Sequence, residues 1–141
     1  MKRLSKTQFF LLSFTWGLPM TLIGLIVALI LIIMGYKPQR NYYGYVFKVG
    51  TGWGGISLGP FSIVNNYPTS RTLRHEFGHS VQNCYFGLFM PLFVAIPSCI
   101  RYWWRNYLIF VKHYSFDSLP PYDSIWFEGQ ATKIGNWYWD V

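Results

Sequence analysis

The sequence predicts an α+β fold with an N-terminal membrane-spanning helix. Three observations support this prediction: an uncharged apolar run near the N-terminus, β-type segments within residues 42–64, and a helical pattern around residues 72–82. The chain has 141 residues, enough for one compact domain and too few for two well-buried cores. We therefore expect a membrane anchor at residues 1–36 and one small domain at residues 37–141.

Composition indicates contact with a membrane. The chain is 52% hydrophobic and only 12% charged, about half the charged fraction of an ordinary soluble domain. Its formal net charge is +7, but the basic residues are scattered and most flank apolar runs, where they would meet anionic lipid headgroups. We expect membrane lipid as a partner, no nucleic-acid binding, and a location in a membrane, with a bacterial inner membrane favoured.

The anchor is predicted from the run Phe9–Gly35, which contains no charged residue. At 1.5 Å per residue a helix of this length exceeds the hydrocarbon core of about 30 Å, and Pro19 is expected to kink it. A cleaved signal peptide is the rival interpretation. The run is longer than a signal-peptide apolar region of about 7–15 residues, and no A-x-A-like cleavage site follows it, so an uncleaved anchor is favoured.

A β-hairpin is expected between the anchor and the helical motif. Residues 45–49 alternate in the manner of a strand, and residues 56–64 form a second β-type run. The glycine-rich stretch at residues 50–55 supplies the turn between them.

Two helices are expected after the hairpin. The stretch at residues 65–68 breaks the chain before a helix that Thr69 or Ser70 could cap. Near the C-terminus, Asp123 or Ser124 could cap a final helix.

A second apolar run extends from Tyr85 to Ile100 and contains Pro91 and Pro97. It is short for a membrane span, so three alternatives are open: a second crossing, a re-entrant or interfacial hairpin, and a buried helix that covers the site. The stretch "RYWWR" at residues 101–105 resembles an interfacial aromatic belt. We therefore expect residues 85–105 to be membrane-associated.

The stretch "TLRHEFGHSVQ" carries the clearest chemical signal. On a helix, His75 and His79 stand one turn apart on the same face, so both imidazoles can hold one ion. Glu76 lies beside that ion, where it can accept a proton from metal-activated water. Zn²⁺ is the expected ion, because it takes nitrogen and carboxylate ligands and keeps a position open in catalytic sites. Gly78 suggests a close approach of backbone or substrate.

A third ligand has to come from outside the motif. Position 85 is tyrosine, so the pattern with a third histidine is absent, and His113 lies in an aromatic and basic stretch. Glu128 is the better candidate, because Gly129 and Ala131 would let its helix approach the motif helix closely. The alternative is that Glu128 is a solvated surface carboxylate that binds no metal.

The "HEFGH" block at residues 75–79, followed by "FEGQAT" at residues 127–132, resembles the gluzincin metallopeptidases, the thermolysin-like group. The resemblance implies that residues 37–141 form a zincin-like domain, that His75, His79 and Glu128 are zinc ligands and that Glu76 is the general base. The family often has an aspartate that orients a histidine where this chain has Thr132. The chain also resembles short bacterial membrane proteins with similar blocks, a likeness that implies no substrate.

The resemblance also implies an extended strand beside the motif helix on which a peptide substrate pairs. Within residues 54–61, the candidate residues for this edge are Ile56, Ser57 and Leu58. A plain hairpin strand is an equally good interpretation of this segment.

Topology constrains the third ligand. If residues 85–100 crossed the bilayer once, Glu128 would emerge on the opposite side from His75, and residues 106–116 are too short and too charged to bring the chain back. Either the apolar run is re-entrant or peripheral, or Glu128 is not a ligand. We favour the first option, with Pro91 and Pro97 at the bend.

The leading hypothesis is a membrane-anchored zinc-dependent peptidase acting on a peptide or protein substrate, with Glu76 as general base and Tyr114 or His113 as candidates for stabilising the oxyanion. An intramembrane site-2-type protease is the second hypothesis, although the L-D-G motif that supplies its third ligand is absent. The third is a non-enzymatic small membrane protein with structural zinc or none.

Overall fold

The computed structural model describes residues 2–140, so Met1 and Val141, the outer limits of the two predicted segments, lie outside the described residues. The helices of this part are α1 (Lys6–Ser13), α2 (Leu18–Ile33), α3 (Ser70–Phe86), α4 (Ile96–Phe110) and α5 (Trp126–Trp139). The strands are β1 (Gln39–Asn41), β2 (Gly44–Lys48), β3 (Gly55–Leu58) and β4 (Phe61–Val64). The predicted α+β class is confirmed.

The sheet differs from the predicted hairpin. Its strand order is β1-β2-β4-β3, with β2 and β4 parallel and the other two pairs antiparallel. The predicted second strand, residues 56–64, is two strands, because Gly59 turns the chain at φ +66° and Pro60 has no N–H to donate. Strand β4 therefore lies between β2 and β3, and β3 is left at the edge of the sheet.

The N-terminal apolar run, which was expected to form one helix kinked at Pro19, forms two separate helices. Helices α1 and α2 are bent by 92° at a break over residues 14–17. Pro19 lies in the first turn of α2, where its missing N–H is tolerated, but it cannot continue the hydrogen-bond ladder from α1. The Asn83 side chain of α3 donates to the carbonyl of Gly17 at the break (3.2 Å). Within the described residues, no single helix is long and apolar enough to cross a membrane, although two bent helix pairs are by length and composition.

Helices α3 and α5 pack closely against each other and form the centre of the molecule. A Cβ on Gly78 would lie 1.9 Å from the Ala131 carbonyl oxygen, so the approach of the two helices requires glycine here, as the sequence suggested. The core beside this contact contains Phe77 of α3 and Tyr138 of α5. Thr69 caps α3 by accepting from the Thr72 amide at 3.1 Å, whereas α5 begins after Ile125 with no side-chain cap.

The apolar run after the motif does not continue α3. The chain passes through a 3₁₀ turn at Gly87–Phe89 and a π-helical turn at Pro91–Ala95, and then enters α4. The extended pair, Ser70–Phe89 and Pro91–Phe110, is bent by 118°. Because the chain turns back here, α5 can return to α3 and bring its first turn beside the motif.

Candidate metal centre

Three side chains from α3 and α5 converge on one point. The Nε2 atoms of His75 and His79 each lie 3.0 Å from Oε2 of Glu128, and 3.1 Å from each other. Glu128 is fully buried, while 14% of the His75 side chain is exposed, so the group opens to the outside on the His75 side. In the described part of the chain, these three residues form the group that could hold a metal ion.

The spacing of the three atoms fits a small tetrahedral cation. Around Zn²⁺, bonds of about 2.0 Å separate neighbouring ligand atoms by about 3.3 Å, close to the 3.0–3.1 Å separations of these atoms. Two imidazole nitrogens and one carboxylate oxygen also form a donor set that zinc accepts. The sequence-predicted ligands His75, His79 and Glu128 therefore meet with suitable geometry and chemistry.

The tautomer of His79 is determined by a neighbouring glutamine that the sequence analysis missed. The Gln82 amide nitrogen donates to the backbone carbonyl of Phe127 at 2.8 Å. Since that carbonyl can only accept, the amide oxygen of Gln82 must face Nδ1 of His79, 2.7 Å away. Nδ1 therefore carries the proton, and in the neutral ring Nε2 presents its lone pair to the metal position. The available signal was a polar residue three positions after His79.

The other two ligands also have hydrogen-bond partners. Thr132 lies one turn after Glu128 on α5, and its hydroxyl is 2.9 Å from Nδ1 of His75. Thr132 therefore contacts a candidate ligand histidine. Ser98 of α4 donates to Oε1 of Glu128, which leaves Oε2 for the two histidines. The apolar run thus contributes a polar contact to the site.

The site attracts positive charge. Burial alone would raise the pKa of Glu128, but hydrogen bonds from His75 and His79 hold that pKa well below its usual range. Burial alone would lower the pKa of His79, yet the hydrogen bond with Glu128 and the charges of Glu76 and Glu128 raise it overall. Glu128 also stands in the first turn of α5, where the helix dipole favours an anion. A divalent cation would be stabilised by the same interactions that favour a proton on His79.

Glu76 is held beside the sheet edge. Its side chain is 5% exposed, and the hydroxyl of Ser57 lies 2.7 Å from both its backbone carbonyl and its Oε2. Ser57 belongs to β3, so one of the three predicted edge residues contacts the predicted base. The end of this edge is covered, because a Cβ on Gly24 of α2 would lie 2.0 Å from the Leu58 carbonyl oxygen. The rest of this edge, Gly55–Ser57, has no strand partner among the described residues and is partly buried.

Tyr122 is the phenol next to the centre. Its ring lies 6.4 Å from that of His75, centroid to centroid. Burial, followed by the negative charge of Glu128, raises the pKa of Tyr122 above its ordinary value, so the phenol remains a hydrogen-bond donor at neutral pH. His113 and Tyr114, the residues suggested from the sequence, are both exposed on the loop after α4. No sequence signal distinguished Tyr122 from the other tyrosines of the chain.

Comparisons of the chain with protein-family models, with curated proteins and with solved structures found no match.

Proposed function

We propose that the chain is a zinc-dependent peptidase in which His75, His79 and Glu128 hold the ion. The observation that carries this proposal is the convergence of three lone-pair atoms within 3.0–3.1 Å, with the His79 tautomer determined by Gln82. A buried carboxylate beside two imidazoles needs positive charge next to it, which either a proton on a histidine or a metal ion can supply. The gluzincin resemblance adds the expectation that this cation is Zn²⁺.

The remaining residues supply the chemistry of hydrolysis. Bound Zn²⁺ would contribute Lewis acidity to the scissile carbonyl and lower the pKa of water. Glu76 would accept the water's proton and pass it to the leaving amine, and Ser57 would orient its carboxylate. Tyr122 would donate a hydrogen bond to the oxyanion, because its phenol stays protonated beside His75.

A substrate strand would bind along the unpaired Gly55–Ser57 edge of β3. This strand pairs only with β4 in the described sheet, so its other edge can accept a peptide backbone. Ser57 joins this edge to Glu76. The backbone of a peptide bound here would form hydrogen bonds with β3. Contacts between the peptide side chains and the protein surface would determine the sequence specificity.

The number of protein ligands favours an enzyme over a structural zinc protein. Structural zinc sites have four protein ligands, whereas catalytic sites have three and leave one position for water. Among the described residues, only His75, His79 and Glu128 form such a group. A site-2-type protease would need an aspartate from another apolar helix, and here the third carboxylate comes from α5, outside the apolar runs.

Metal analysis of the purified full chain tests the binding part of the proposal. We expect one zinc per chain in the wild type and in the Glu76→Gln variant, and loss of zinc in His79→Ala and Glu128→Ala. Asp117→Asn is the matched control for Glu76→Gln, because it removes one carboxylate from an exposed position. A wild-type chain that holds no zinc after loading and dialysis would contradict the proposal.

Hydrolysis is tested on a defined peptide library with mass-spectrometric detection of new termini. We expect cleavage by the zinc-loaded wild type and by Asp117→Asn, and none by Glu76→Gln. Equal cleavage by Glu76→Gln would show that Glu76 is not the base. Zinc binding without cleavage of any peptide would favour a non-enzymatic metal protein.

A further inference from the structure

Helix α4 has an inner face that contacts the site and the loop before α5. Ser98 donates to Glu128, Arg101 donates to the carbonyls of residues 121 and 122, and Arg105 donates to the carbonyl of Pro120 at 2.5 Å. At 100° per residue, these three side chains lie within an arc of about 60°. The polar side of α4 is therefore occupied by the protein itself.

The opposite side of α4, here the outer face, is apolar and uncovered. It consists of Ile96, Ile100, Trp103, Trp104, Tyr107 and Phe110. These side chains are 40–72% exposed and lie within an arc of about 120°, centred about 150° from the inner face. The outer face is about 21 Å long and contains no charged residue. This pattern is typical of a helix that lies in a membrane interface.

Helix α2 differs from α4 because it has no polar side. The residues Leu18–Ile33 include no charge, and the helix buries only part of its surface against the protein. Its exposed side chains include Leu22, Ile23, Ile26, Leu29, Ile30, Ile32 and Ile33, each at least 48% exposed. A helix that is apolar all round needs an apolar environment on every side.

The two apolar surfaces start from the same corner of the molecule. Trp16, at the α1–α2 break, donates from its ring nitrogen to the carbonyl of Tyr85 at 3.1 Å, and its ring lies 6.0 Å from that of Phe89. The bend before α2 therefore packs on the bend before α4. One apolar environment can cover both surfaces.

Charge and composition favour lipid over a second copy of the chain. The sequence has 12 basic and five acidic residues, and both glutamates are buried at the site, so the outer surface is strongly basic. A second copy would bring the same positive charge, whereas anionic lipid brings the opposite charge. Trp and Tyr side chains, as on the outer face of α4, are enriched where protein meets the lipid interface.

We propose that α2 lies in the hydrocarbon of an anionic bilayer and that α4 lies in the interface, with its outer face against lipid. The metal centre then stands about one helix diameter, roughly 10 Å, from the lipid, because Ser98 on the inner face contacts Glu128. Given the proposed peptidase function, the substrate class is a peptide segment held at the membrane surface.

Tryptophan quenching by brominated lipid tests the position of α4. The full chain is reconstituted in phosphatidylcholine–phosphatidylglycerol bilayers carrying bromine at a shallow or a deep acyl position. We expect shallow bromines to quench the wild type more than deep ones. The excess should fall in Trp103→Phe/Trp104→Phe, which retains Trp16 near the lipid. It should be unchanged in Trp53→Phe, whose residue is half-buried and bonded to the Val49 carbonyl. The measurement does not depend on hydrolysis, so the variant Glu76→Gln should give the same quenching as the wild type.

Two outcomes would overturn the position of α4. One is equal quenching of the wild type and Trp103→Phe/Trp104→Phe, which would mean that the outer face does not touch lipid. The other is quenching that disappears as the protein-to-lipid ratio rises, which would mean that a second copy covers the outer face.

The substrate class is tested separately with one peptide found cleaved in the library, either free or carrying a palmitoyl chain. In bilayers, we expect the lipidated peptide to be cleaved at least about tenfold faster, because tethering raises its local concentration. Equal rates would overturn the substrate class while leaving the peptidase intact. If neither peptide is cleaved by a zinc-loaded chain in bilayers, the substrate class fails while the peptidase function stands. If no peptide of the library is cleaved, the peptidase function fails and the quenching result still stands.

Discussion

Replacing Gln82 by methionine should weaken zinc binding without changing a ligand. Methionine is similar in length and fills the same fully buried position. The substitution removes the oxygen that accepts from Nδ1 of His79 at 2.7 Å. His79 would then lose the partner that determines its tautomer, and a buried N–H would lose its acceptor.

The expected loss of zinc affinity follows from those two effects. Removing the hydrogen-bond partner of a metal-binding histidine typically weakens metal affinity about 10- to 100-fold, which corresponds to about 1.4–2.7 kcal/mol. Leaving a buried donor unpaired costs about 1–3 kcal/mol, in the same range. We therefore expect the zinc dissociation constant of Gln82→Met to rise about 10- to 100-fold.

A competition titration against a chromophoric chelator measures this change on the purified full chain. Gln130→Met is the matched control, because it makes the same substitution at the residue whose amide oxygen accepts from Gln82 at 2.9 Å, without a described contact to His79. We expect Gln130→Met to bind zinc like the wild type. Gln82→Glu restores an acceptor for Nδ1 and should recover part of the affinity that Gln82→Met loses.

An unchanged zinc affinity in Gln82→Met would refute the tautomer argument. The same conclusion would follow if Gln82→Met and Gln130→Met weakened binding equally, because the effect would then come from general disturbance of the α3–α5 contact. Thermal unfolding of both zinc-free variants separates a loss of folding from a loss of affinity.

Three further changes have defined outcomes. Gly78→Val should destabilise the fold by at least about 2 kcal/mol, because its Cβ would collide with the Ala131 carbonyl oxygen. Thermal unfolding at the wild-type temperature would contradict the close contact between α3 and α5. In steady-state kinetics, Tyr122→Phe should lower kcat about 10- to 1,000-fold, with zinc content and KM unchanged. A change in KM alone would assign Tyr122 to substrate binding instead. Ser98→Ala should weaken zinc about tenfold, because Glu128 loses a hydrogen bond, and chelator competition giving the wild-type value would remove Ser98 from the site.

The residues of the candidate metal group were predictable because their signal is local or rare. Helix periodicity alone puts His75 and His79 on one face, and the chain has only two glutamates as candidates for the proposed base and third ligand. The small residue Gly78 correctly indicated a close helix contact, since glycine inside a helix is unfavourable without such a reason.

The sheet and the N-terminal bend were not predictable because distant contacts decide them. Alternation identifies the strand residues, but it is equally satisfied whether β2 pairs with β3 or with β4. Pro19 marks a weak point in the N-terminal run, whereas the 92° bend depends on Asn83 of α3 and on the packing of Trp16 against residues 85–89. Neither contact has a signature in the local sequence.

The apolar run after the motif has two roles that its composition could not separate. Hydropathy analysis detects the aromatic and aliphatic side chains of this run and predicts contact with lipid. It does not detect Ser98, the only serine of that run, whose hydrogen bond leaves Oε2 of Glu128 to the histidines. Any change in how α4 lies on a bilayer would therefore move a partner of the third ligand. If the proposed membrane position is correct, lipid contact and metal geometry are coupled through one helix, so zinc affinity measured in detergent and in bilayers should differ more in the wild type than in Ser98→Ala.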